Sequence, residues 1–146
     1  MLLDKKDLPI VAMEFMNDVH EKDIEIINTL YDTLVSYETA PSEENKKRLV
    51  QLYREWFEHT IEHFRGEEVL MVEKNFPPYP VHKGEHDRAL ALMDDVLRNF
   101  TTTGDITALK QYITQVVPQW FVQHIQSMDM VTAMFFKSGM SPCLMH

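Results

Sequence analysis

Apolar residues recur every three or four positions through most of the chain, with charged residues between them, and that repeat predicts amphipathic helices. The first runs from about residue 17 to 38, with His20, Ile24, Ile27, Leu30, Tyr31 and Leu34 on one side and Asn17 as the expected N-cap. Thr39-Ala-Pro-Ser42 interrupts it. Ser42, followed by Glu43 and Glu44, caps a second helix over about 43 to 74, whose stripe is Leu49, Leu52, Trp56, His59, His63, Glu67, Leu70 and Met71. Phe76-Pro-Pro-Tyr-Pro80 must then reverse the chain, because proline cannot continue the helix and pushes its predecessor out of helical geometry. A third helix, about 81 to 99, carries His82, His86, Leu90, Met93 and Leu97 inward, and Thr101-Thr-Thr-Gly-Asp105 is the loop after it. The fourth, about 105 to 137, carries Leu109, Tyr112, Ile113, Val116, Trp120, His124, Met128 and Met134, should kink at Pro118, and closes at Ser138-Gly139. Residues 1–16 lack a clean repeat and are expected as an arm across the bundle, and 140–146 as a flexible tail. The expected fold is therefore all-α, a single domain over 1–146: an up-down-up-down antiparallel four-helix bundle with an N-terminal arm.

Composition agrees with this picture. A chain of 146 residues can bury one sizeable core, and 45% hydrophobic residues with only four glycines favour helices over a turn-rich β fold. The net charge of −9 argues against nucleic acid, which needs a basic footprint. There is no apolar run long enough for a membrane span and no signal-peptide core at Met1-Leu-Leu-Asp-Lys-Lys-Asp-Leu, so the expected location is the cytoplasm. Cys143, the lone cysteine, excludes an internal disulfide framework. It stands fourth from the end, but the terminal His146 and the absence of a basic run speak against prenylation.

The histidines change the picture most. Residues four apart share a helix face, so His63 with Glu67 and His82 with His86 are two metal-ready pairs, and the Pro-rich reversal sets them opposite each other. His20 and His124 fall on the inward stripes of the other two helices. Burying five imidazoles with no common partner would leave many nitrogens unsatisfied. Glu67 and Asp129 join them, and a carboxylate can bridge two hard cations, which favours a dinuclear site over a single zinc. Asp129 stands five residues after His124, about 140° further round an α-helix, so it is expected to swing from a different face toward a second metal.

The order His20, His63-Phe-x-x-Glu67-Glu68, His82-x-x-x-His86, Trp120-x-x-x-His124-Ile125-x-x-x-Asp129 resembles the hemerythrins, in particular the bacterial hemerythrin-like proteins. The likeness extends from about Asn17 to Phe136 and includes Asn28, Met71 and Phe76-Pro77. It implies a non-haem di-iron centre, with His82, His86 and His124 on one iron, His20 and His63 on the other, and Glu67, Asp129 and a solvent-derived oxo or hydroxo group bridging both. The two-histidine iron would keep an open position for dioxygen, in a dry pocket lined by Phe64, Trp120, Phe121 and Ile125. The implied function is reversible dioxygen binding for carriage, storage or delivery, and the protein is expected to be a monomer, with an oligomer left open.

Two positions depart from that pattern. Asp23 stands where an apolar residue usually lines the pocket, and His59 precedes the second-helix ligand by one turn. In antiparallel helices the two can meet beside the open position. They either form a buried ion pair or turn outward, or they act as a proton relay. The relay reading supports the alternative function, an enzyme reducing peroxide, nitric oxide or dioxygen. The number of histidines favours binding, since oxygen-activating di-iron enzymes tend to carry more carboxylates and more open positions.

Overall fold

The computed structural model describes residues 2–4 and 14–138, and among them every regular element is helical. Most of the expected arm, and the tail with Gly139, Cys143 and His146, lie outside the described residues. Helix α1 spans Glu14–Thr39, α2 Glu43–Glu73 and α3 Tyr79–Thr103. The fourth rod is a succession of α4 (Ile106–Gln111), a π-helical turn π1 (Tyr112–Val116), α5 (Val117–His124), a second π-helical turn π2 (Ile125–Asp129) and α6 (Met130–Ser138). Neighbouring rods pack in chain order, α1 on α2, α2 on α3 and α3 on α4, with π1 back against α1, so the expected four-helix bundle is the fold. No helix is long and apolar enough to cross a membrane among the described residues.

The boundaries differ from expectation for local reasons. Helix α1 begins at Glu14 rather than at Asn17, because the buried stripe reaches back to Met16, one turn before His20. The described part of the arm, Leu2 to Asp4, is tied to it: Leu3 N–H donates to Asn28 Oδ1 at 2.8 Å and Asn28 Nδ2 donates to Leu3 O at 2.9 Å. Ser42 caps α2 as expected, its hydroxyl accepting from Asn45 N–H at 3.1 Å. After α2, Asn75 takes φ 53, a left-handed conformation that Asn tolerates, and Phe76 N–H donates to Met71 O at 2.9 Å. Helix α3 begins at Tyr79 rather than 81, since a proline in the first turn lacks only an N–H that would be unpaired anyway. It also runs past Asn99, because the threonine hydroxyls bond back to the helix, Thr101 to Arg98 O at 3.1 Å and Thr103 to Asn99 O at 2.8 Å. Gly104, at φ 71, ends it and Asp105 starts α4, so the expected five-residue loop shrinks to these two.

Pro118 does not break the fourth rod. It sits in the first turn of α5, directly after the wide turn π1, which absorbs the missing hydrogen bond. The wide turns also shift the register. Val116 and Met134, expected inward, are exposed, while Val117, Phe121, Phe135 and Phe136 are buried. On α2 the buried line is Leu49, Tyr53, Trp56, Thr60, Phe64, Glu67 and Met71, which moves Leu52, His59 and Leu70 to its flank.

The large core, including Ile27, Leu30, Leu34, Leu49, Tyr53, Trp56 and Phe100, fills one half of the bundle. Inside it the Tyr53 hydroxyl donates to Met93 O at 2.7 Å, joining α2 to α3. Two smaller clusters, Met16, Ile24, Phe121, Ile125 and Ala133, then Met71, Phe76, Phe135 and Phe136, occupy the other half. The buried polar residues lie between these layers.

Candidate metal centre

All seven residues singled out by their spacing converge. The Nε2 atoms of His82, His86 and His124 form one group, with His86 to His124 at 3.2 Å and His82 to His124 at 3.3 Å. His20 and His63 form a second. Glu67 offers Oε2 to His63 Nε2 at 2.9 Å and Oε1 to His86 Nε2 at 3.3 Å. Asp129 offers Oδ2 to His20 Nε2 at 2.9 Å and Oδ1 to His124 Nε2 at 3.0 Å. In each group the donor atoms lie within 4.8 Å of one another, and both carboxylates belong to both groups.

The turn π2 corrects the expectation for Asp129. Met130 N–H donates to Ile125 O, an i→i+5 bond, so the chain takes one residue more per turn than an α-helix. A residue five on then stands where a residue four on would stand. Asp129 therefore shares the face of His124 and has no need to reach across from another.

The ring atoms facing away fix the tautomers. Thr132 spends its hydroxyl proton on Met128 O at 2.8 Å, so it accepts from His82 Nδ1–H at 2.8 Å. Glu68 accepts from His86 Nδ1–H at 3.0 Å, and Glu85 from His124 Nδ1–H at 2.7 Å. Asp23 Oδ2 lies 2.9 Å from His63 Nδ1. Each of these rings then turns an Nε2 lone pair inward. The lone pair of His124 lies within 3.3 Å of those of His82 and His86, and they repel unless a cation or protons lie between them, while Glu67 Oε1 and Asp129 Oδ1 are buried without a hydrogen bond. Five imidazoles and two carboxylates shared between the groups are a donor set suited to two divalent or trivalent cations of the iron type.

The buried carboxylates and imidazoles shift one another's acidity. Burial alone would lower the basicity of His124, but Asp129, Glu85 and Glu67 outweigh it and raise its pKa to about 9. His63 is likewise raised well above the usual imidazole value: burial works against this, and Asp23 and Glu67 overcome it. Burial would raise Asp129, yet His124, His20 and His82 hold it well below the usual carboxylate range.

Aromatic rings hold the ligand rings in place. Phe64 stacks on His86, centroids 3.8 Å apart at 2°, and Trp120 on His124 at 4.5 Å and 10°, while Phe121 meets His20 edge-on at 5.9 Å. These three also line a cavity of about 60 Å³ that touches His63, His124 and Asp129 and continues past Met93 to the exposed Leu92 and Val116. Ile125 does not line it and packs in the cluster of Met16, Ile24 and Phe121.

Asp23 and His59 do meet. Asp23 is buried on the cavity wall, and the half-buried His59 places Nε2 2.8 Å from its Oδ1, the two atoms close but not aligned as a hydrogen bond. Burial would raise the Asp23 carboxyl, but His63 and His59 together hold it below its ordinary value.

The outer partners Glu68, Glu85 and Thr132 are what the spacing argument missed. The available signal was a carboxylate beside a ligand on the flank of the same stripe, Glu68 after Glu67 and Glu85 before His86.

Comparison with known proteins agrees with the geometry. Residues 11–135 match the sequence model of the Hemerythrin HHE cation binding domain. The chain is 29% identical to a bacteriohemerythrin of Aquifex aeolicus (strain VF5) over 133 residues, covering 91% of this chain and 96% of that one. It is 30% identical to a bacteriohemerythrin of Methylococcus capsulatus (strain ATCC 33009 / NCIMB 11132 / Bath) over 115 residues, 79% of this chain and 81% of that one. A crystal structure of wild-type hemerythrin shares the fold with TM-score 0.74 and 22% identity, over 94% of this chain and 98% of that one. The chain belongs to the hemerythrin HHE cation-binding family and is a bacteriohemerythrin-like protein.

Proposed function

We propose that this protein binds dioxygen reversibly at two iron ions, His82, His86 and His124 holding one, His20 and His63 the other, with Glu67 and Asp129 bridging them. The observation that carries the reading is the division of oxygens: each carboxylate turns one oxygen to the three-histidine group and the other to the two-histidine group. When bound, such a pair of irons supplies one electron each to an incoming dioxygen and takes them back when it leaves. The chain's own part is to leave room and keep water out. The two-histidine group has one protein donor fewer, and the cavity that touches its His63, along with His124 and Asp129, is walled by Phe64, Trp120 and Phe121, so a small uncharged ligand can approach a site that water reaches poorly.

One observation favours a second reading, turnover of dioxygen, nitric oxide or peroxide. Asp23 puts a carboxylate on the cavity wall, and His59 connects it toward the surface. Mixing the diferrous protein with dioxygen in a stopped-flow instrument separates the two. A persistent oxy spectrum with two irons per chain is the expected result. Immediate passage to the diferric form supports turnover, and one metal per chain, or zinc from iron-replete cells, overturns the di-iron reading. Glu67→Ala should lower the iron content of both groups together, since it removes a donor from each.

A further inference from the structure

The partners behind the ligand rings are distributed unevenly. In the three-histidine group the backing groups are a hydroxyl, Thr132, and two carboxylates that reach solvent, with Glu68 and Glu85 side chains 19% and 23% exposed. In the two-histidine group His20 Nδ1 has no hydrogen-bond partner among the described residues, so the one backing group is Asp23, 6% exposed. Burial decides how far a charge is felt. At an effective dielectric of about 20 rather than 80 the same charge acts roughly fourfold more strongly at a given distance. A carboxylate accepting Nδ1–H also holds the ring in one orientation and makes Nε2 a stronger donor, which favours the more highly charged metal.

We infer that Asp23, steadied by His59, is a positioning residue that orients His63 and lowers the reduction potential of the two-histidine half of the metal pair. The inference rests on the two-metal reading above. It assigns the departure of this chain from the hemerythrin pattern to the electronics of one iron, not to lining alone. Because only one of the two halves has a buried carboxylate behind its histidine, the irons should differ in potential, with the more easily oxidised one at His63.

Asp23→Asn separates the two parts of the role. The amide oxygen can still accept from His63 Nδ1–H, so the ring stays placed while the charge is gone. Asp23→Leu removes both. With the iron-loaded protein, spectroelectrochemical titration of Asp23→Asn should show two irons retained and one oxidation step raised. A tenfold weaker preference for ferric over ferrous iron corresponds to about 59 mV. Asp23→Leu should in addition lose iron from one half to a chelator about 10- to 100-fold more readily. His59→Ala should shift the same step in the same direction as Asp23→Asn, by less.

Titrating the metal-free variants with cobalt(II) tests placement independently of iron. The second ion should bind about 10- to 100-fold more weakly to Asp23→Leu and close to wild type to Asp23→Asn. Wild-type potentials in Asp23→Asn would overturn the inference, as would an Asp23→Asn that loses metal as Asp23→Leu does with no change in potential. If wild type takes two cobalt ions but not two irons, the iron reading fails while the cobalt affinities still decide the placement of His63.

Discussion

His124 shows what a buried imidazole among carboxylates does to the metal-free protein. Its folded pKa of about 9 exceeds the unfolded value near 6.5, so its contribution to stability is fully present below about pH 6.5 and is lost as pH rises through 9. His63 is shifted the same way. Asp129 and Glu67 are shifted down, so their contribution is present above about pH 4.5 and disappears in acid. Chelator-treated protein should therefore lose thermal stability steadily from pH 6 to 9, whereas the iron-loaded form should hold steady or gain over that range, because metal competes with protons for the same nitrogens. Parallel melting curves at pH 6, 7.5 and 9 check this, and equal slopes in the two forms would contradict it. The five histidines could be read from the sequence because an imidazole on an apolar stripe is conspicuous, and Glu67 because it stands one turn from His63 on the same face. Glu68 and Glu85 could not, because a carboxylate on the flank of a helix looks like any solvated charge until the partner ring is seen behind it. Asp23 was recognisable as out of pattern, but its contact with His63 depends on how α1 and α2 rotate against each other.

At the scale of elements, the two π-helical turns matter most. Hydrophobic spacing assumes 3.6 residues per turn, so it located the four rods and their order but placed Val116 and Met134 inward and Asp129 off the face of His124. Helix ends went astray where caps are cryptic, as at Tyr79, where prolines sit inside a first turn, and at Thr103, where hydroxyls extend a helix. The wide turn makes an unusual prediction. Deleting the exposed Gln126 from π2 should convert it to an ordinary α turn, leaving His124 and Asp129 four apart on one face. Metal stoichiometry should then stay near wild type, despite a deletion beside the site. Deleting the exposed Arg88 from the regular stretch of α3 should instead rotate the rest of that helix by about 100° and destabilise the bundle. Metal analysis and circular dichroism of both deletions test the comparison, and complete loss of metal in the Gln126 deletion would argue against the bulge as the register device.

Across the whole molecule, the apolar layers on either side of the polar cluster are unequal. Among the described residues, twelve buried ones form the half that includes Leu30, Tyr53 and Phe100, against five around Met16, Ile24 and Ile125 and four in the cap of Met71, Phe76, Phe135 and Phe136, so the large half should stay folded when the cap opens. In the metal-free protein, amide hydrogen exchange should be slow through Leu30, Tyr53 and Met93 and fast around Phe76 and Phe135, and loading should slow the second set selectively. Uniform protection in both states would contradict this. The small cap is then the end of the bundle that opens at least cost. Phe76, wedged against Phe135 at 5.0 Å and Phe136 at 6.3 Å, stands at the end of the bundle where the proline hairpin meets α6. If metal enters by opening of that end, Phe76→Ala should hasten both its uptake and its escape, and the looseness of one phenylalanine would set how long the protein keeps its charge of metal.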